Sequence, residues 1–328
     1  MVKNNYNKAV KGEEYNSDDD SDNEKESEID TNIKEQDHDM TIYPVKADPT
    51  KPVYREVGDP LLSPPFTYAF VGFRGASKTT TLMNLVMRPY PFYGATAKQT
   101  KDPMTQPVFD NIFIISPTIG LDSTSKPILK VVPKENIFTE YDDDIINQLL
   151  EYQKKQEPPR EKGLIICDDI LGMGGVGMNS KIYKLPAVLR HYDLSVCYLT
   201  QILRGSNALP PITRNNIEGW FLYKNPNAKE IEKLAEEFGS FGGKENFYGL
   251  YADAVMEKPY SFLYLDARKY KAYNNLTDFM WEKYDENGKF NPPYIRQSQQ
   301  GIEEKIEGKN SLQNKVQTQE TNITSEKR

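Results

Sequence analysis

Short apolar runs bounded by turn residues recur through the middle of this chain, and the stretches between them carry helical spacing. The first run, Phe66-Thr67-Tyr68-Ala69-Phe70-Val71, reads as a buried strand. A small-residue loop over 72–77 leads from it into a helix from Lys78 to Arg88. Leu82, Leu85 and Val86 fall at i, i+3 and i+4 of that helix, and Pro89 stops it. Ile112 to Ile115 is a second strand, ended by Ser116-Pro117. The segment 119–140 reads as loop, with an edge strand near Val131-Val132. Asp142 to Gln153 is a helix, with Asp142-Asp143-Asp144 at the end where its dipole favours negative charge. Leu164 to Cys167 is a third core strand that runs into Asp168-Asp169, and a glycine-rich loop occupies 172–177. A helix over about 181–191 precedes a fourth strand, Leu194 to Leu199, which closes on Thr200-Gln201. A short helix carrying Arg214, a strand from Gly219 to Tyr223, a helix from Ala228 to Phe238 and a late strand from Tyr260 to Leu265 complete the pattern. Strands alternating with helices in this way predict an α/β fold with a mainly parallel sheet covered by helices on both faces. Ligands of such sheets bind outside the carboxyl ends of the strands, where 72–79, 168–169 and 200–201 all fall.

Composition narrows the folded part. Hydrophobic residues make up 38% of the 328, low for a wholly globular chain, so part of it should stay unfolded. Residues 1–40 hold 13 acidic and 5 basic side chains, which predicts a disordered acidic tail over 1–41. Order is expected to begin within Ile42 to Tyr54, opening one large domain over 42–296. A second disordered, polar tail is expected over 297–328. Outside residues 1–40 the chain carries 36 basic and 35 acidic side chains, so its acidity belongs to the tail and does not argue against a nucleic-acid partner for the body. Cys167 and Cys197 each lie in an apolar run and are expected in the core, with no disulfide framework or zinc spacing. His38 and His191 are the sole histidines, which nearly excludes a multi-histidine metal site. No apolar run approaches the ~18 residues of a membrane span, and the N-terminus lacks the apolar core of a signal peptide.

The chemistry concentrates at two places. Gly72-Phe73-Arg74-Gly75-Ala76-Ser77-Lys78-Thr79 fits the phosphate loop G-x-x-x-x-G-K-[ST], except that Ser77 replaces its last glycine. Small residues let backbone N–H groups turn inward around phosphates, and the helix N-terminus adds partial positive charge. Lys78 would reach the β- and γ-phosphates of ATP, and the Thr79 hydroxyl would take a Mg²⁺ position. Gly72, Arg74, Gly75, Ala76, Ser77, Lys78, Thr79 and Thr80 are the expected nucleotide contacts. The Ser77 side chain is expected to narrow the loop or weaken nucleotide affinity. At the second place, the strand Leu164 to Cys167 delivers Asp168 to the metal and Asp169 as the general base that polarises the attacking water. No Asn-Lys-x-Asp follows, so adenine suits the chain better than guanine.

These pieces, with Leu189-Arg190-His191 through Tyr198-Leu199-Thr200-Gln201 and Leu209-Pro210-Pro211-Ile212-Thr213-Arg214-Asn215-Asn216, resemble the genome-packaging ATPases of poxviruses, giant viruses and virophages. Those proteins belong to the FtsK–HerA superfamily of P-loop ATPases, and the resemblance runs from about Tyr68 to Asp266. It implies a RecA-like fold and an ATP-driven motor that packages double-stranded DNA into a preformed capsid. It also implies a homo-oligomeric ring docked on a capsid or portal component, at virion assembly sites in the host cytoplasm or nucleus, or in the virion. Gln201 matches the polar sensor of the γ-phosphate, and Arg214 matches the arginine that reaches a neighbouring subunit's nucleotide. Arg190 and Arg204 are weaker candidates for that role or for DNA contact.

Other readings stay open at this level. The loop 172–177 is either a mobile element facing a DNA channel or a surface excursion. Tyr248, Tyr251, Tyr260 and Tyr264 alternate with apolar residues and are expected in the core. No sequence-specific DNA motif occurs, so contacts to the duplex backbone are expected. The two alternatives to a motor are a P-loop nucleotide phosphotransferase and a non-catalytic ATP-binding scaffold. The first would need a lid and an arginine-rich acceptor site that the chain does not display, and Ser77 leans towards the second.

Overall fold

Nine strands join into one sheet in the computed structural model, which describes residues 57–88, 90, 107–121, 123–205, 208–256 and 258–294. The strands are β1 (Thr67–Val71), β2 (Asn111–Ile115), β3 (Ile137–Phe138), β4 (Gly163–Asp168), β5 (Leu194–Thr200), β6 (Gly219–Tyr223), β7 (Phe262–Asp266), β8 (Lys271–Asn274) and β9 (Asp278–Glu282). Their order across the sheet is β3-β2-β4-β5-β1-β6-β7-β8-β9. The first six of that order run parallel, and β7, β8 and β9 are added antiparallel at one edge. The expected acidic tail over 1–41, the onset of order at Ile42 to Tyr54, the stop at Pro89 and the polar tail over 297–328 lie outside the described residues.

Alternation within each strand divides the apolar residues between two cores. Ala69, Val71, Ile165, Cys167, Val196, Tyr198, Trp220 and Leu222 pack into one. Tyr68, Phe70, Leu164, Ile166, Cys197, Leu199, Phe221 and Tyr223 pack into the other. Helix α1 (Lys78–Met87) covers the second core with Leu82, Leu85 and Val86, each contributing roughly 1.5–3 kcal/mol by leaving water. The short helix α2 (Lys126–Leu129) adds Ile128 to the same core. The first core takes Ile146 and Leu149 from α3 (Asp143–Lys155) and Ile182 from α4 (Lys181–Lys184). Beyond the four-residue α5 (Pro211–Arg214), α6 (Ala228–Glu237) adds Leu234 and α7 (Lys244–Met256) adds Phe247, Leu250 and Ala254. Both faces of the sheet are therefore covered. The expected α/β architecture, a mainly parallel sheet covered by helices on both faces, is the one observed.

Helix starts follow local chemistry. The Asp142 carboxylate accepts from the Asp144 amide at 2.8 Å and caps α3, whose last turn carries Lys154 and Lys155. Asn227 caps α6 in the same way through the Lys229 amide at 3.0 Å. Cys167 and Cys197 are buried on neighbouring strands, but Cys197 registers with Ile166, so the two thiols belong to opposite cores and no disulfide joins them.

Four expectations need correction. The edge strand is Ile137–Phe138, not Val131-Val132: the Ile128 carbonyl captures the amides of Val131 and Val132 at 3.1 and 2.9 Å, closing a turn where a ladder was expected. The helix expected over 181–191 ends at Lys184 and continues as 3₁₀ turns over Leu185–Ala187 and Leu189–His191, because Pro186 has no amide to extend the ladder. The late strand starts at Phe262, and Tyr260 is 67% exposed with φ 69°, so it is not core, whereas Tyr251 and Tyr264 are. Helix α7 and strands β8 and β9 had no counterpart in the sequence reading. Phe247, Leu250, Tyr251, Ala254 and Val255 do follow i, i+3, i+4, i+7, i+8, a helical signal hidden by Gly249 and the tyrosines.

Candidate nucleotide site

Strand β1 ends at Val71 and the chain turns at once into the loop before α1. The Gly72 amide donates to the Thr200 carbonyl at 3.1 Å, which ties the start of the loop to the end of β5. A side chain at position 72 would place its Cβ 2.7 Å from the Tyr223 Cβ and 3.2 Å from the Ala76 Cβ, so the close approach of β6 demands glycine there. Gly75 takes φ 81°, and Ser77 takes φ 70°, ψ 22° as the residue that enters α1. Ser77 therefore holds the left-handed conformation that a glycine would adopt freely, which is the physical content of its departure from the motif. Ala76 is buried, Ser77 and Thr79 are half-buried, and Arg74 and Thr80 are exposed.

Lys78 is buried at the head of α1, and its ammonium donates to the carbonyls of Gly72 at 2.7 Å and Phe73 at 3.2 Å. Burial pulls its pKa below the ordinary lysine value, and the charges of Asp169 and Asp168 oppose that shift. An ammonium held by loop carbonyls at a helix N-terminus is an arrangement that can receive an anion.

The two carboxylates arrive on β4. Asp168 is its last residue, and its Oδ2 accepts from the Thr79 hydroxyl at 3.1 Å. Asp169 has φ 52°, a conformation aspartate tolerates, and turns the chain into the 3₁₀ segment Ile170–Gly172. Its Oδ1 accepts from Gln201 Nε2 at 3.4 Å. Gln201 follows β5, which lies between β1 and β4, so its amide enters the site between the loop and the acids. One hydroxyl and one carboxylate are hard oxygen donors that suit Mg²⁺ completed by phosphate and water oxygens. Among the described residues no group of three or more His, Cys, Asp or Glu could hold a metal ion, so an ion here would need the nucleotide as well.

Other candidates lie apart from this cluster. The Arg214 guanidinium is held by Glu237 at 3.0 Å and by the Leu209 carbonyl at 2.6 Å. Arg204 binds Glu237 and Glu236 at 2.5 and 3.0 Å. Arg190 lines a cavity of about 490 Å³ beside the first residues of β1 and β6, at the opposite end of the sheet from the loop. In the segment 172–177 the Ser180 hydroxyl accepts from the Gly177 amide at 2.8 Å and donates to the Gly175 carbonyl at 3.3 Å, anchoring the end of the loop. Sequence reasoning missed Tyr223, whose Cβ sets the requirement at Gly72, and the Thr200 carbonyl that receives the loop's first amide. Only strand order could have exposed them.

No protein-family model matches the chain, and no curated protein matches it. Solved structures with a similar course include the genome packaging NTPase B204 from Sulfolobus turreted icosahedral virus 2 in complex with AMP, at 14% identity over 64% of this chain and 96% of that one, TM-score 0.45. The DNA-packaging ATPase B204 from Sulfolobus Turreted Icosahedral Virus matches at 13% identity over 64% and 97%, TM-score 0.44. The N-terminal domain of zonular occludens toxin from Neisseria meningitidis matches at 14% identity over 50% and 78%, TM-score 0.28.

Proposed function

We propose that this chain is the ATP-hydrolysing subunit of a motor that moves double-stranded DNA, packaging a viral genome into a preformed capsid. The observation that carries the hydrolytic part is the convergence of three segments at the carboxyl ends of β1, β4 and β5. There Thr79 meets Asp168 and Asp169 meets Gln201. The Gly72 and Ala76 amides are given to the Thr200 and Phe73 carbonyls, and the other amides of the loop, with the Lys78 ammonium, grip the triphosphate. Magnesium, when bound through Thr79 and Asp168, offsets charge on the β- and γ-phosphates. Asp169 accepts a proton from the attacking water, and the Gln201 amide orients that water or reads the γ-phosphate.

The DNA part rests on the resemblance of 189–201 and 209–216 to packaging ATPases. Arg214 acts in a neighbouring subunit's site, with Glu237 holding the guanidinium until a partner docks. The subunits form a ring around the duplex and touch its backbone, docked on a capsid or portal component at virion assembly sites.

The test is the ATPase rate with and without long linear duplex DNA, for wild type and Lys78→Ala. Stimulation by DNA that falls steeply with salt, and is absent from Lys78→Ala, is the expected result. Hydrolysis indifferent to duplex DNA would count against translocation, and nucleoside diphosphate formed from ATP plus a monophosphate would favour a phosphotransferase.

A further inference from the structure

A second cavity, of about 440 Å³, opens directly beside the phosphate loop, with Phe73, Gly75 and Ala76 of the loop forming one wall. We infer that this cavity holds the base of the nucleotide, clasped between Phe73 and Tyr260, and that it accepts adenine and guanine with little preference. The inference rests on the proposed phosphate site and extends it to the part of the nucleotide that the loop does not touch.

Three observations support it. The volume lies within the ~300–1,000 Å³ of small-molecule sites, and shared residues make it continuous with the place assigned to the phosphates. Its rim gathers large apolar side chains from separate segments that remain in water: Phe73 at 42% exposure, Met256 at 66% and Tyr260 at 67%. Three such groups around one cavity form the kind of exposed patch that marks a binding site, and two of them are aromatic faces on which a purine stacks. Tyr260 also adopts φ 69° while its ring stays exposed. A bulky residue in the left-handed region costs roughly 1–2 kcal/mol, and here little burial offsets that cost, so the strained placement is explained by what the ring contacts in the bound state.

The polar lining limits selectivity. Lys224 and Lys258 can only donate, and Ser261 contributes a hydroxyl, while the described lining residues include no carboxylate. Guanine is selected by a carboxylate that accepts from both its N1–H and 2-amino groups, and no side chain of this lining supplies one. Donors meet ring nitrogens and the guanine carbonyl about equally well, so stacking dominates and both purines fit.

Calorimetric binding of Mg-ATP, Mg-GTP and inorganic tripolyphosphate to the full-length protein tests this. ATP and GTP are expected to bind within about fivefold of each other, because neither base finds a discriminating hydrogen-bond partner. Tyr260→Ala is expected to weaken both by about tenfold while tripolyphosphate binding stays unchanged, and Tyr260→Phe retains the affinity. The inference is overturned if Tyr260→Ala and Met256→Ala both leave ATP affinity intact while Lys78→Ala abolishes it, because the base then lies elsewhere. A GTP affinity more than about a hundredfold below that of ATP would overturn the unselective pocket. If wild type binds neither ATP nor tripolyphosphate, the phosphate loop itself is misread, a failure distinct from loss of base contacts alone.

Discussion

The Thr79 hydroxyl donates to the Asp168 carboxylate across 3.1 Å, joining the first turn of α1 to the last residue of β4. The neighbouring acid, Asp169, faces the Gln201 amide instead. The two bonds differ, and under the proposed mechanism that difference divides the roles of the adjacent aspartates. Asp169→Asn should leave ATP binding near wild type and lower kcat by about 10²–10⁴-fold, as loss of a general base does. Asp168→Asn should raise the magnesium requirement by about 10–100-fold, by analogy with other groups that support a metal. Steady-state ATPase titrated with Mg²⁺ separates the two, and an identical response from both variants would end the division.

Ser77 sits at φ 70°, where any Cβ is strained. Ser77→Gly should raise stability by about 0.5–1 kcal/mol, the relief of left-handed strain less the added freedom of the unfolded chain. ATP turnover should hold or increase. Chemical denaturation and a rate assay check both, and a loss of turnover would mean that the serine side chain takes part in binding.

Gly72→Ala should be harmful for a different reason. The new Cβ would lie 2.7 Å from the Tyr223 Cβ, and forced contacts of this kind cost about 1–3 kcal/mol. The clash is with Cβ itself, so adding Tyr223→Ala should not rescue the variant. A lowered melting temperature together with weakened ATP binding, uncorrected in the double variant, is the expected pattern.

Lys78 is a buried cation whose pKa is lowered by burial. Lys78→Met should abolish ATP binding yet stabilise the unliganded fold by about 1 kcal/mol, since an apolar chain replaces a charge that burial has taken from water and two carbonyls only partly compensate. Below the lowered native pKa, both the folded and unfolded states hold the proton and the penalty is full. Between that value and the ~10.4 of an unfolded lysine, the native state has released a proton that the unfolded state keeps, so this contribution makes stability rise with pH. The gap between Lys78→Met and wild type should narrow across that alkaline window. A gap that widens would contradict the assignment.

Arg214 is tethered to Glu237 within its own subunit. If it serves a neighbour's nucleotide, Arg214→Ala and Lys78→Ala subunits should each be inactive alone but regain measurable ATPase when mixed, because some interfaces then pair an intact loop with an intact arginine. Mixing that yields no activity, although mixed oligomers form, would place Arg214 outside the reaction.

The centre of the fold was legible because its strands are continuous apolar runs with both faces buried, and those runs end in the residues that matter: Gly72 after Val71, Asp168 after Cys167, Gln201 after Thr200. The edge was not. β8 and β9 are short and mixed in polarity, and Gly249 and the tyrosines obscure the apolar stripe of α7, which packs against β7 and β8. At the site, the loop and the paired acids could be read locally. The insertion of β5 between their strands could not, since it depends on a crossover that no local pattern encodes. The left-handed Ser77, the Tyr223 contact and the rim residue Tyr260 were hidden for the same reason: each is a property of segments that meet only in three dimensions.

That inserted strand has a consequence for how the molecule comes into being. The loop at 72–79 gains its neighbours only once chain near 168, 201 and 223 is in place, so a nascent polypeptide lacks a competent pocket until most of its body has emerged from the ribosome. Nucleotide capture therefore reports on a chain extended past Tyr223, and fragments that stop short of it should remain silent to ATP however well their helices form.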